Sequence, residues 1–353
     1  MREGLVEIDG SSGEGGGQIL RTSLALSIIT GRPLRISNIR AGRAKPGLRR
    51  QHLACVEAAA QLCGAELRGA QVGSQQLEFT PPAAGMRESM VELTVDIGSA
   101  GSTSLVVQTI LVPAIMAGRS LRATVIGGTH NPMAPPFDFL ARVFVPHLRA
   151  MGADVTLTLE RHGFATGGGA SHDEITKHRG EVTLVVGPGG LRPIAIIETP
   201  PITERHATAI LARLPTHVAE REFSVVKDRC GFTPIDCEIR EVHDAGIANV
   251  VMLEVARGEC RELVTSFGEK GLRAELVAER ACDELNRFLA AEVPVGEHLA
   301  DQLLLPLAVA GGGRFRAAGL SLHATTNIET IQHFLDIPIR VAPDGDATLV
   351  TVG

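Results

Sequence analysis

Four stretches of this 353-residue chain bring together residue types that can bind phosphate or attack it. The first is Gly13-Glu14-Gly15-Gly16-Gly17-Gln18, which runs straight into a segment with apolar residues at helical spacing that carries Arg21. Glycines let successive backbone N–H groups converge on an anion, and a helix N-terminus adds partial positive charge. Glu14 amid those donors suits a divalent cation beside a phosphate. The third glycine is wrongly spaced for a Rossmann fingerprint, and no Gly-Lys-Ser/Thr occurs anywhere, which excludes a Walker A loop. A plain tight turn is the alternative reading.

The second stretch runs from Arg40 to His52 and holds Arg40, Arg43, Lys45, Arg49 and Arg50, with Pro46 and Gly47 just before a predicted helix. Cations gathered at a helix's positive end repel one another and the dipole unless an anion is bound. A site for phosphate oxygens is therefore preferred to a solvated basic loop. The third stretch, Thr129-His130-Asn131-Pro132 through Pro135-Pro136-Phe137-Asp138, reads as a rigid structural turn in preference to a pocket wall, because its prolines stiffen the backbone.

The fourth is Ser321-Leu322-His323-Ala324-Thr325-Thr326-Asn327-Ile328-Glu329. Thr326 and Glu329 have capping-box spacing, so a helix is expected to start there with His323 just ahead of it. That field disfavours imidazolium, keeps the ring nucleophilic, and would stabilise negative charge on a phosphoryl group under attack. A purely structural histidine is the alternative. None of the four lysines (Lys45, Lys177, Lys227, Lys270) sits in a Lys-x-Asp-Gly signature, so His323 is the better nucleophile for any nucleotidyl transfer.

Composition narrows the classes of function. Hydrophobic residues make up 44% and charged ones 21%, as in a folded, soluble protein. The formal charge of −6, with no Tyr or Trp, argues against a coat for long nucleic acid or a base-stacking platform. Six cysteines form no Cys-x-x-Cys and no His-Glu-x-x-His occurs, so no zinc site is expected and the thiols read as reduced. The most apolar stretch, Leu105 to Ala117, is too short to span a bilayer and contains Gln108 and Pro113. Met1-Arg2-Glu3-Gly4 lacks the apolar core of a signal peptide, so a cytoplasmic location is expected.

The elements that must position these stretches repeat. The first ~80 residues read as strand, Gly-rich turn, helix, strand, basic turn, helix, strand, strand. Thr94-Val95-Asp96 lies 87 positions after Glu7-Ile8-Asp9, and Gly118-Arg119 lies 87 after Gly31-Arg32. Gly152-Ala153-Asp154-Val155 lies 88 after Gly64-Ala65-Glu66-Leu67, so the unit is duplicated. A third copy is expected to open near residue 183 with the strand Val182 to Val186. Its first helix is delayed to His298–Ala310, which implies an insertion of roughly 100 residues, the size of a small domain. The helix at Glu275 to Ala290 fits either the insert or the third unit. The expected fold is α+β: three repeated units of two helices packed on a four-stranded sheet, with a smaller α/β domain inserted in the third. Residues 1–190 and 290–353 form the large domain and 191–289 the insert.

At these residues the sequence resembles the RNA 3′-terminal phosphate cyclases. The resemblance rests on Gly13 through Arg21, Ile39 through Gly47, and Arg50-Gln51-His52-Leu53. It continues with Gly98-Ser99-Ala100-Gly101 and Gln108, Asn131-Pro132 through Pro135-Pro136, Val295-Gly296-Glu297, Leu299-Ala300-Asp301-Gln302, and His323 with Thr326-Asn327. It covers nearly the whole chain and is weakest in the insert. Two departures stand out: Thr166 occupies the place of a proline after His162-Gly163-Phe164, and His298 that of a tyrosine packing near adenine.

The resemblance implies ATP-dependent conversion of an RNA 3′-phosphate to a 2′,3′-cyclic phosphodiester, through a histidine–AMP phosphoramidate on His323. It implies a nucleotide site lined by Arg21, Gln108, Pro135, His298, Leu299, Ala300, Asp301 and Gln302. Arg40, Arg43, Gln51 and His52 would face the RNA terminal phosphate, and Mg²⁺ or Mn²⁺ would sit near Glu14. The partners implied are ATP and RNA with a 3′-phosphate end, with no membrane; a homo-oligomer is left open. The rivals are a non-catalytic cyclase-like factor in rRNA processing, which would lack the nucleophilic histidine, and an enolpyruvyl-transferase-type enzyme, which resembles the repeated unit but needs neither ATP nor a covalent histidine.

Overall fold

The protein is described here by a computed structural model covering residues 4–82, 90–164, 178–243 and 246–353. Three four-stranded sheets share one topology. The first contains β1 (Val6–Asp9), β2 (Leu34–Ser37), β3 (Glu66–Arg68) and β4 (Leu77–Thr80) in the order β1-β2-β4-β3. The second contains β5 (Met90–Asp96), β6 (Ser120–Gly127), β7 (Val155–Arg161) and β8 (Gly180–Val186) in the order β5-β6-β8-β7. In each, the opening strand lies parallel to the second and the remaining pairs are antiparallel. A parallel first pair needs a crossover, and helices α1 (Gly17–Thr30) and α3 (Thr103–Met116) supply it. The second helical segment of each unit is α2 (Arg50–Cys63) in the first. In the second it is a continuous run of α4 (Phe137–Phe139), a π-helical turn (Leu140–Phe144) and α5 (Val145–Ala150).

The expectation that Val182–Val186 opens the third unit is corrected. These residues lie in β8, antiparallel to β6 and β7, and close the second sheet. Val182, Leu184 and Val186 are buried on its inner face, which ties the strand to that core. The third sheet opens instead at β9 (Ala195–Ile196), parallel to β14 (Gly313–Ala317), and is completed by β16 (Ala347–Val352) and β15 (Ile339–Asp344). Two residues are too few to show a period, so β9 leaves no signal in sequence.

Between β9 and the crossover helix of the third unit runs a fourth sheet: β10 (Glu204–Ala212), β11 (Cys237–Val242), β12 (Ala248–Arg257) and β13 (Cys260–Phe267), in the order β11-β10-β12-β13. It is backed by α6 (His217–Cys230) and α7 (Ala274–Ala290). Phe223, Val226, Leu253, Val277 and Leu285 fill a separate core there, which places α7 with this sheet. Arg142 on the π-helical turn reaches Glu254 of β12 at 2.8 Å, and Glu254 also takes Arg261 at 2.6 Å. The three repeats share the other core. Helix α3 is apolar nearly all round, as a helix must be when neighbours surround it. Among the described residues, no helix is long and apolar enough to cross a membrane.

Candidate functional site

The repeats place their first helices side by side, and a cleft opens where α1, α3 and α8 (Glu297–Val309) meet α9 (Leu322–Phe334). Helix α9 begins earlier than the capping-box spacing suggested. Ser321 is its N-cap and accepts the Ala324 N–H at 3.1 Å, so His323 lies within the first turn and not ahead of it. Thr326 serves another purpose: its hydroxyl donates to Leu322 O at 2.7 Å and accepts the Glu14 N–H at 3.0 Å. That bond joins the glycine loop of the first repeat to the histidine turn of the third.

The loop can make this approach because of its glycines. Gly13 has φ +54°, and a Cβ there would overlap Thr326. A Cβ on Gly17 would stand 2.7 Å from His52 Nε2 and 2.9 Å from Arg21 Nη1. The start of α1 is therefore open only to atoms as small as a backbone N–H or to a ligand oxygen.

Glu14 is mostly buried. Its Oε1 is ion-paired to Arg43, while Oε2 is buried without a hydrogen-bond partner, 3.9 Å from His323 Nδ1. The His323 side chain is about half exposed. Its Nδ1 faces Glu14, so Nε2 is the ring nitrogen left to meet a ligand.

Deeper in the cleft, Gln18 Nε2 donates to both Asp301 oxygens at 3.1 Å, and Arg21 donates to Gln18 Oε1 at 2.9 Å. Asn327 donates to Asp301 Oδ1 at 3.1 Å and accepts from the Thr22 hydroxyl at 2.8 Å. Burial raises the Asp301 carboxyl pKa, against the pull of His323, Arg21 and Asn327, and burial lowers that of the Arg21 guanidinium. Gln108 donates to Gln302 Oε1 across the cleft. Val112, Phe144, Leu305 and Pro306 form the apolar part of the lining of this open cleft.

Of the nucleotide residues expected from sequence, Arg21, Gln108, Asp301 and Gln302 line this cleft. Leu299 and Ala300 are fully buried in the core, so they hold the helix in place and present no side chain. Pro135 lies in the turn before α4 and His298 points outward to Glu284 at 3.4 Å; neither is among the lining residues. Gln18 and Asn327, read from sequence only as motif residues, and Thr22, not singled out, also line the cleft. Gln18 and Thr22 share a helix face with Arg21, a spacing that marks them in retrospect.

The basic turn is more braced than its charge suggests. Arg40 donates to Lys45 O and Gly47 O at 2.8 and 2.9 Å, and Gln51 Oε1 accepts the Ser102 N–H at 2.7 Å. His52 is buried and its Nδ1 accepts the Arg49 N–H at 3.2 Å. Burial, with Arg40, Arg21 and Arg49 close by, lowers its pKa to about 3. It is a neutral ring whose Nε2–H points to the glycine loop. The turn of the second repeat carries a buried pair, His130 Nε2 donating to Asp138 Oδ2 at 2.8 Å, with His162 stacked 5.5 Å from His130. Thr166 falls outside the described residues. No group of three or more His, Cys, Asp or Glu converges on one point among the described residues, and all six cysteines are free.

Comparison with known proteins identifies the family. A family model described as RNA 3′-terminal phosphate cyclase matches residues 12–341. The chain is 47% identical over 347 residues to the RNA 3′-terminal phosphate cyclase of Ectopseudomonas mendocina, covering 96% of this chain and 95% of that one. It is 41% identical over 350 residues to the protein of that name in Koribacter versatilis, covering 99% and 95%. With that of Salmonella typhimurium the figures are 44% over 339 residues, covering 95% and 94%.

Proposed function

This chain belongs to the RNA 3′-terminal phosphate cyclase family, and on that premise we propose that it uses ATP to convert an RNA 3′-terminal phosphate to a 2′,3′-cyclic phosphodiester, with His323 as the nucleophile. His323 Nε2 forms a bond to the α-phosphorus of ATP as the bond to pyrophosphate breaks. An oxygen of the RNA 3′-phosphate then takes the AMP, and the N–P bond is released. The neighbouring 2′-hydroxyl attacks the activated phosphorus, loses its proton and expels AMP. A phosphate monoester is a poor electrophile; adenylylation supplies a leaving group, and the vicinal hydroxyl gains from proximity.

One observation carries this reading: Glu14 Oε2 faces His323 Nδ1 at 3.9 Å, and the same loop and the same helix turn continue into Gln18, Arg21 and Asn327, which line the cleft. The contact is too long for a hydrogen bond, but a carboxylate on the Nδ1 side favours the ring orientation that leaves Nε2 free to attack. Arg21, the α1 amides and the neutral His52 N–H offer donors to phosphate oxygens. Gln108, Asp301 and Gln302 supply the polar wall for the nucleotide, and Arg43 and the basic turn receive the RNA end. Pro135 and His298 are not among the residues that line the cleft. The partly buried Glu14 Oε2, an acceptor with no partner, fits Mg²⁺ or Mn²⁺ if the nucleotide's phosphates complete the shell. Such an ion would screen the triphosphate's charge. Few phosphates need neutralising to read an RNA end, in keeping with the net charge of −6.

The test is incubation with α-labelled ATP and metal, followed by denaturing electrophoresis. The expected result is an acid-labile, alkali-stable label on the protein that is lost in His323→Ala. Absence of label under every metal condition would sink the covalent route and favour a non-catalytic role in RNA processing.

A further inference from the structure

We propose that the inserted unit sets how tightly the cleft holds its nucleotide, through two carboxylates, Glu262 and Glu284, that grip the first turn of α8. The inference rests on the nucleotide reading of the cleft given above. Helix α8 carries Asp301 and Gln302 into that cleft, and its N-cap is Gly296. Glu262, on β13, is 3% exposed, and its carboxylate lies so close against Gly296 that a Cβ there would overlap it. One of its oxygens is buried with no hydrogen-bond partner. Glu284, on α7, holds His298 Nε2 at 3.4 Å. Both carboxylates belong to the insert, while Gly296 and His298 belong to the third repeat. The insert therefore seizes the nucleotide helix at its positive end, where a carboxylate stabilises a helix best.

The groups that face His298 are Glu284 from α7, Glu262 from β13, Glu297 on its own first turn and Asp301 one turn on. Glu284, then Glu262 and Glu297, raise the pKa of the His298 imidazole against the effect of burial. Burial pushes the Glu262 carboxyl up to about 7, with Glu284 adding to the rise while His298 and the Gly296 amide oppose it. At acid pH the set of His298, Glu284 and Glu262 is close to neutral. Rising pH ionises Glu262 and discharges His298, and the set gains negative charge beside a site for a polyanion. Affinity for a nucleoside triphosphate should accordingly weaken as pH rises.

The experiment measures binding of α,β-methylene ATP, whose bridging carbon blocks adenylyl transfer, by calorimetry on the full chain. Wild type, Glu284→Gln, Glu284→Asp and Glu262→Gln are compared from about pH 6 to about pH 8.5, and the wild-type dissociation constant should rise about threefold to fivefold over that range. Glu284→Gln and Glu262→Gln should flatten the profile, Glu284→Asp should restore it, and the labelling rate at saturating ATP should stay unchanged in all three. Glu284 is 37% exposed, so its variants test the idea even if Glu262→Gln folds poorly. Variants that keep the wild-type profile, or that lose affinity equally at every pH, would overturn the proposal. Wild-type protein that binds no analogue at any pH would instead overturn the nucleotide reading.

Discussion

Glu14 Oε2 faces His323 Nδ1 across 3.9 Å, although the two residues come from the first and third repeats, and Glu14 Oε1 is meanwhile held by Arg43. The carboxylate thus stands between the residue assigned to attack ATP and an arginine assigned to the RNA end. On the proposed mechanism such a bridge would give one side chain a part in both halves of the reaction.

The division can be tested at Arg43. Arg43→Ala should leave self-adenylylation within about threefold of wild type, while transfer of AMP to a 3′-phosphorylated RNA falls about tenfold or more, the loss typical of a donor that meets developing charge. Label retained on protein and label moved to RNA are read on one gel. Equal loss of both steps would contradict the assignment.

The contact between repeats depends on Gly13. At φ +54°, with Thr326 where a Cβ would stand, Gly13→Ala should cost about 1–3 kcal/mol of stability. Gly31→Ala is the comparison. Gly31 has φ +69° at the end of α1 but nothing within 4 Å of its Cβ position, so its cost should stay near ~1 kcal/mol. Urea denaturation of both variants separates the clash from the backbone preference.

Glu222 predicts an alkaline weakness in the inserted unit. It is fully buried, bonded to Asn249, and burial raises its carboxyl from 4.5 to about 7. The native state therefore holds a proton that the unfolded chain releases between those values. Stability is full below pH 4.5 and is lost as pH rises through 7, by about 3 kcal/mol at the upper end. Glu222→Gln should be more stable than wild type at about pH 8, with the difference vanishing in acid, as followed by thermal melts across pH.

His52 predicts the opposite limb. Its ring is held neutral to about pH 3, whereas the unfolded histidine takes up a proton near 6.5. The stabilisation is complete above pH 6.5 and is lost as pH falls toward 3, on the order of 5 kcal/mol in all. In His52→Gln the acid limb of the stability profile should flatten. An unchanged limb would mean that His52 is charged in the folded protein.

Much was determined by sequence alone, because it is local. Glycines at 31 and 64 close helices in left-handed conformations, alternating apolar residues make β5 and β8, and three landmarks at a nearly constant offset reveal the repeat. The family resemblance rests on the same short-range patterns. Tertiary structure decided which residues meet. The two-residue β9 has no period of its own and exists only through pairing with β14. Thr326, which looks from its spacing like a cap, is spent on the Glu14 amide, and Arg40, which looks free for an anion, braces its own turn. Gln18 and Asn327 become part of the cleft because helices from separate repeats pack side by side around one buried carboxylate. A buried charge must find partners wherever the chain brings them, and spacing along a sequence carries no record of that distance.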